Sequence, residues 1–270
     1  MNSLFYLQLL TSFILGGGFI ALMTFLAERA PARIAGAIIS MPGIVIFSYL
    51  FVGWATSAET VGKVAVTTLA GAGVVQMFAV VYMYASLIKI NNKIYSIILS
   101  ATSAIVVWLI LAKVVVTLKI SYLPLALVID LVGITISYYF LHIKNNIPLP
   151  EKIHHYTKKQ IIFRALFSGF IIMFTVFLSK TLSPFWGGIF GAFPAGYLPA
   201  FVILHFYYGP PMLFKVGKNI SIGSLCFASY VITSHWSFPA FGLIGGTIVS
   251  FVVSLFVLYV IEYSSKPKNT

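Results

Sequence analysis

Asp130 stands near the middle of the apolar run SYLPLALVIDLVGITISYYF, residues 121–140, the one acidic residue far from the end of any such run. A carboxyl turned toward lipid at that depth is costly, so Asp130 should face the bundle or be neutral. Asp130, Gly133 and Ser137 follow one another at spacings of three and four and share one helical face. That face suits a carboxyl that takes up a proton or a cation opposite small residues, the ion-coupling group of a carrier. A structural acid hydrogen-bonded to a neighbouring helix is the plain alternative.

A second constellation is made of helix breakers. IAGAIISMPG (34–43) and WGGIFGAFPAG (186–196) both interrupt apolar runs with proline and glycine. Pro42 and Pro194 each remove a backbone donor and disturb the carbonyl four residues earlier. Gly36, Gly43 and Gly196 let the chain unwind beside them. Backbone groups freed inside a bilayer must be buried in protein or line a polar cavity. Paired breaks of this kind point to the central site of a transporter, so Gly36, Pro42, Gly43, Pro194 and Gly196 are candidate substrate-binding positions. Kinks and close helix packing are the competing reading. His205, beside Tyr207 and Tyr208, is a further binding candidate, although an interfacial aromatic belt accounts for the same residues.

Other chemistries find no footing. The chain has no Walker loop, no HExxH, no Gly-x-Ser-x-Gly elbow and no paired acids at useful spacing, so no catalytic residue and no cofactor are expected. Cys226 is alone, and His154 and His155 are adjacent in a loop without further ligands, which argues against a metal site. Glu28, Arg29 and Arg33 form an interfacial charge cluster or a gate. The GGG at 16–18 follows no strand and reads as a place of close helix packing.

The elements that hold these residues follow from composition. Hydrophobic residues make up 60% of the chain and charged ones 8%, with a mean hydropathy of +1.02. A span needs about 20 apolar residues. Nine windows qualify: 3–27, 34–56, 62–87, 94–117, 121–142, 161–180, 185–208, 213–234 and 239–262. The first lacks a basic leader and is read as a span rather than a cleaved signal. An all-α polytopic membrane protein follows, and the lipid bilayer is its first partner.

The net charge of +12 is explained by topology rather than by nucleic acid. With the N-terminus outside, only Lys63, Lys113, Lys119 and Lys180 fall on the outer side, and the remaining 13 of the 17 Lys and Arg fall inside. That sets an N-out/C-in orientation in an inner (plasma) membrane.

GFIALMTFLAER (18–29) matches GFIIMFTVFLSK (169–180), and VGK at 61–63 returns at 216–218. The copies start five crossings apart, which inverts the second, as in many secondary transporters. The predicted units are 1–143 with five helices and 161–263 with four, joined by a cytoplasmic linker 144–160 and followed by a tail 264–270. Leu123-Pro124 resembles Phe238-Pro239, which would pair helix 5 with helix 9 and leave helix 4 unmatched.

IAGAIISMPGIVIFSYLFVG (34–53), through Ile34, Ala35, Gly36, Pro42, Tyr49, Val52 and Gly53, resembles the signature of the GlpM-like small inner-membrane proteins of bacteria. The second half resembles the same family from FRALFSGF through AFPAGYLPAFVILHFYYG to FPAFGLIGGTIVSF, with His205 spaced farther from Pro194 than the pattern. The resemblance implies two fused family-like units and a loose link to exopolysaccharide production. The sequence therefore reads as a secondary transporter of a small solute or ion working by alternating access, and not as an enzyme. Its alternative is a non-transporting scaffold or accessory protein of envelope polysaccharide production. A homodimer is compatible with either.

Overall fold

The computed structural model describes residues 3–29, 42–144, 147, 157–217 and 220–264, and among them it is helical with no strand. The helices are α1 (Ser3–Arg29), α2 (Gly43–Ala55), α3 (Ala58–Ala85), α4 (Lys93–Thr117) and α5 (Leu123–Tyr138), the last continued by a π-helical turn Tyr139–Ile143. Then come α6 (Lys158–Thr181), α7 (Pro184–Gly191), α8 (Tyr197–Tyr208), α9 (Pro210–Gly217) and α10 (Ile220–Ser264). Gly36, Arg33, His154, His155, most of the expected linker and the tail from 265 onward lie outside the described residues.

Six helices among the described residues are long and apolar enough to cross a membrane: α1, α3, α4, α5 with its π turn, α6 and α10. The nine sequence windows differ for local reasons. Within the window 34–56 the described residues hold the 13-residue α2, which begins after Pro42. The window 185–208 is divided into α7 and α8 by residues 192–196. The last two windows, from residue 220 onward, fall in α10, 45 residues interrupted at Gly242.

Drawn straight, α10 would be about 68 Å long at 1.5 Å per residue. It is instead a hairpin. Ser254 Oγ donates to the Cys226 carbonyl at 2.9 Å, Ser234 Oγ to Ser250 Oγ at 3.1 Å, and Ser237 Oγ to the Gly246 carbonyl at 3.1 Å. Contacts between residues 9 to 28 positions apart, symmetric about position 241, require two antiparallel arms. The reversal occurs at Gly242, whose φ of 70° and ψ of −168° suit a residue without Cβ. The expected boundary at Pro239 is thus three residues early, because proline is accommodated in the closing turn of the first arm.

α3 is the hub. Residues on all its sides are buried, and α4, α5, α7 and α10 pack around it. Its N-terminus is capped by Ser57, whose hydroxyl accepts from the Thr60 amide at 3.1 Å. Between helices in lipid, close approach is set by small residues. Gly62 receives α10, since a Cβ there would stand 2.8 Å from Pro239. Gly71 receives the end of α7, with Ala192 at the same 2.8 Å. Gly73 receives α5, where a Cβ would lie 2.5 Å from the Ile129 carbonyl, and Gly133 on α5 presses back on Gly73. α1 and α6 use the same device. A Cβ on Gly17 would meet the Ala165 carbonyl at 2.7 Å, and one on Gly169 the Phe13 carbonyl at 2.5 Å.

These contacts also fix directions. Lys180 lies over the Phe5 ring while Gly17 meets Gly169, so α1 and α6 are antiparallel. Lys63, Lys113, Lys119 and Lys180 belong to one end of the bundle, at the start of α3, the end of α4, the start of α5 and the end of α6. Lys89, Lys93, Lys144, Lys158, Lys159 and Lys215 belong to the other. Both α5 and the second arm of α10 leave the Lys63 end, so they run the same way and cannot be inverted counterparts. The Pro124–Pro239 match is therefore coincidental. α4, not α5, is the helix that runs opposite to the second arm of α10.

Substitution should separate packed from open glycines. Gly133→Val is expected to lower stability by about 1–3 kcal/mol or more through overpacking against α3. Gly18→Val, with nothing within 4 Å of its Cβ position, should leave the thermal unfolding midpoint in detergent close to wild type.

Candidate functional site

The break in the second half is built on hydrogen bonds that proline leaves open. α7 ends as the Ala192 amide donates to Gly188 and the Phe193 amide to Phe190. The chain turns through 192–196, and α8 restarts with the amides of Tyr197 and Leu198 both donating to the Pro194 carbonyl, at 3.1 and 2.8 Å. Pro199 in the first turn of α8 needs no acceptor. α2 begins the same way, with the Ile46 amide donating to the Pro42 carbonyl at 3.0 Å. Each half-helix thus starts from the carbonyl of a buried proline.

The two breaks adjoin. A Cβ on Gly196 would lie 3.5 Å from Ile44 in the first turn of α2, and one on Gly43 would lie 2.9 Å from Phe19 of α1. Ser168 of α6 donates to the carbonyl of Ala195 at 3.4 Å. On the far flank the fully buried Trp108 of α4 sets its ring edge-on to Phe190 and Phe193, with centroids 5.2 and 4.8 Å away. Pro42, Gly43, Pro194 and Gly196 therefore form one region, and Gly36 lies outside the described residues. From α2 toward Ala55 and from α8 toward Tyr208, the half-helices run to opposite ends of the bundle.

α7 is seated on hydroxyls. Thr68 Oγ1 of α3 lies 2.9 Å from the Val64 carbonyl and 3.0 Å from that of Gly188, and one proton serves both acceptors. Gly187 packs on Ser179, and Gly191 faces Thr68 and Thr175. The Tyr49 ring of α2 lies 6.0 Å from Tyr230 and 5.9 Å from Phe238, both on α10, closing the inner side.

Asp130 is not part of this region. It is 1% exposed, on the α5 face that also buries Ala126, Gly133 and Ser137. The expected face is real, but α3 stands between it and the breaks. Gly71 of α3 meets α7 and Gly73 meets Asp130, and residues two apart on a helix point about 200° apart. Farther along the same face, Ser137 Oγ lies 2.8 Å from Gln76 Oε1 and 2.7 Å from Ser221 Oγ, which ties α5 to α3 and α10. Both carboxylate oxygens of Asp130 lack a hydrogen-bond partner among the described residues.

His205 also stands apart. It lies nine residues beyond Gly196, about 13 Å along α8. It is 3% exposed, 3.4 Å from Ser96 Oγ of α4 and edge-on to Tyr82 of α3, whereas Tyr207 is exposed. The histidine is a contact between helices, and only the tyrosines beside it suit an interfacial belt. Sequence reasoning missed the Gln76–Ser137–Ser221 bridge and the Ser234, Ser237 and Ser250 cluster. Gln76 as a lone amide inside an apolar run was the available signal.

Thr68→Val keeps shape and removes the proton shared with Gly188. It should cost about 1 kcal/mol of unfolding free energy, while Thr68→Ser should retain most of it, as read from denaturant or thermal unfolding in detergent.

Residues 161–266 match the model of a family described as a protein of unknown function, DUF3147. The match covers 106 of the 270 residues, from α6 to just past the end of α10, and so includes the break at Pro194. No curated protein and no solved structure matches the chain. The second half thus contains a DUF3147 domain, while the likeness to GlpM-like proteins and the two-unit layout rest on the residues alone.

Proposed function

We propose that this chain is a secondary transporter that moves a small solute across a bacterial inner membrane by alternating access. In this reading two inverted units, 1–143 and 161–263, are joined by a cytoplasmic linker 144–160, with the tail 264–270 also inside. Nine crossings result when the chain leading into α2, the α7–α8 pair and the two arms of α10 are each counted as spans. The N-terminus is then outside, at the Lys63 end.

One observation carries the reading: two proline-started half-helices run in opposite directions and touch at Ile44 and Gly196. Breaks in inverted elements that meet at one point are where alternating-access carriers hold their cargo. The antiparallel pairing of α1 with α6 through Gly17 and Gly169 supports the same symmetry, one position from the Gly18–Gly169 match. Asp130 would act on transport through α3, which touches both it and α7, rather than by contacting the solute.

The test uses thiol access. In a Cys226→Ala background, Ile44→Cys should react with a membrane-impermeant thiol reagent in both right-side-out and inside-out vesicles. Lys63→Cys should react only in right-side-out and Lys89→Cys only in inside-out vesicles. Reaction of Ile44→Cys from one side alone, or from neither, would remove the alternating-access reading. Reversed labelling of the two lysine positions would reverse the orientation.

A further inference from the structure

Asp130 lies at the floor of a groove that neither the breaks nor the packing of α3 explains, with both carboxylate oxygens buried beneath its surface. The groove holds about 360 Å³ and lies between α5 and the two arms of α10. Leu127 and Leu131 line it from α5, Leu225 and Ala228 from the first arm, and Phe256 and Val260 from the second. Its rim residues Leu131, Leu225, Phe256 and Val260 are exposed on the outside of the bundle, within helices long and apolar enough to cross a membrane. The mouth therefore opens sideways, toward lipid.

Polar groups in this groove are few. Ser229 lines it, but its hydroxyl already donates to the Cys226 carbonyl at 2.8 Å. The Asp130 carboxyl, nearly out of contact with solvent, has no hydrogen-bond partner on either oxygen among the described residues. Such a group either holds a proton or, when charged, needs a counter-charge or a donor, since burying a charge unpaired is among the costliest arrangements available.

The chemistry of the lining decides what that group is. A sodium or calcium ion needs several oxygen ligands to replace its water, and one carboxylate in an apolar wall offers two at most. An organic cation with its charge spread over a large apolar body needs far less. It is weakly hydrated, enters from the bilayer, fills the groove with its apolar arms, and lies over the buried carboxylate and beside the Phe256 ring. We propose that the α5–α10 groove binds a lipophilic organic cation, held at its centre by Asp130. The site is separate from the helix breaks and requires no transport, so it stands or falls independently of the carrier reading.

Equilibrium binding of tetraphenylphosphonium to the purified full-length protein in detergent tests it, with the uncharged triphenylphosphine oxide as the comparison. Wild type should bind the phosphonium saturably, and at least tenfold more tightly than the oxide. Asp130→Asn should weaken phosphonium binding at least tenfold, with an unchanged thermal midpoint in the absence of ligand. Ala228→Phe, which fills the groove and leaves the carboxyl in place, should weaken it likewise, and it carries the test should Asp130→Asn fail to fold. Absence of saturable binding by wild type, equal binding of phosphonium and oxide, or full binding by Ala228→Phe would each overturn the proposal. Cross-linking of two chains through Leu131→Cys that phosphonium does not suppress would overturn it too, because a second copy would then occupy the groove.

Discussion

A helix enclosed by other helices within a membrane gains nothing from hiding apolar surface, because lipid is as apolar as its neighbours. α3 is held instead by how closely backbones approach, and the rest of the bundle is arranged around that requirement. Gly62, Gly71 and Gly73 each admit a different neighbour to contact distance. Larger residues at these positions would push α10, α7 or α5 outward and open gaps that lipid chains cannot fill well. The ordering of elements around the bundle is thus written into three glycines on one helix.

The second demand is that no backbone group be left alone at depth. Where a helix continues, it satisfies itself. Where helices begin or end, after Pro42 and between Gly191 and Tyr197, proline carbonyls and side-chain hydroxyls complete the pairing. The α10 hairpin meets the same demand economically, reversing on one glycine while serines on its facing sides bond to the opposite arm. Hydroxyl groups serve here as the adhesive that apolar surface supplies in water-soluble proteins.

What the sequence makes legible follows from which features are local. Apolar length, proline and glycine are local, so the helical class, the interruption at 192–196 and the buried face of Asp130 were readable in advance. Helix direction is a matter of parity along the whole chain. The resemblance of Leu123-Pro124 to Phe238-Pro239 outweighed it, although segments four crossings apart run the same way. The separation of Asp130 from the breaks was unreadable for another reason. It depends on Gly71 and Gly73 facing opposite sides of a helix whose neighbours the sequence does not name. Pro239 misled because it lies inside the first arm, and the chain reverses only at Gly242.

α5 has a meaning beyond its contacts. Two four-helix units joined end to end would enter a membrane in the same orientation, since an even number of passes returns the chain to its starting side. A fifth pass makes the number odd, and α6 then runs opposite to α1. In the proposed two-unit layout α5 would be a spacer that sets the relative orientation of the units, one that a pair of separate, oppositely inserted chains would not need. Such a spacer would answer to no sister helix and would be free to acquire residues that a duplicated position would have to carry twice. Asp130, the one acid buried among the described residues, sits on that helix.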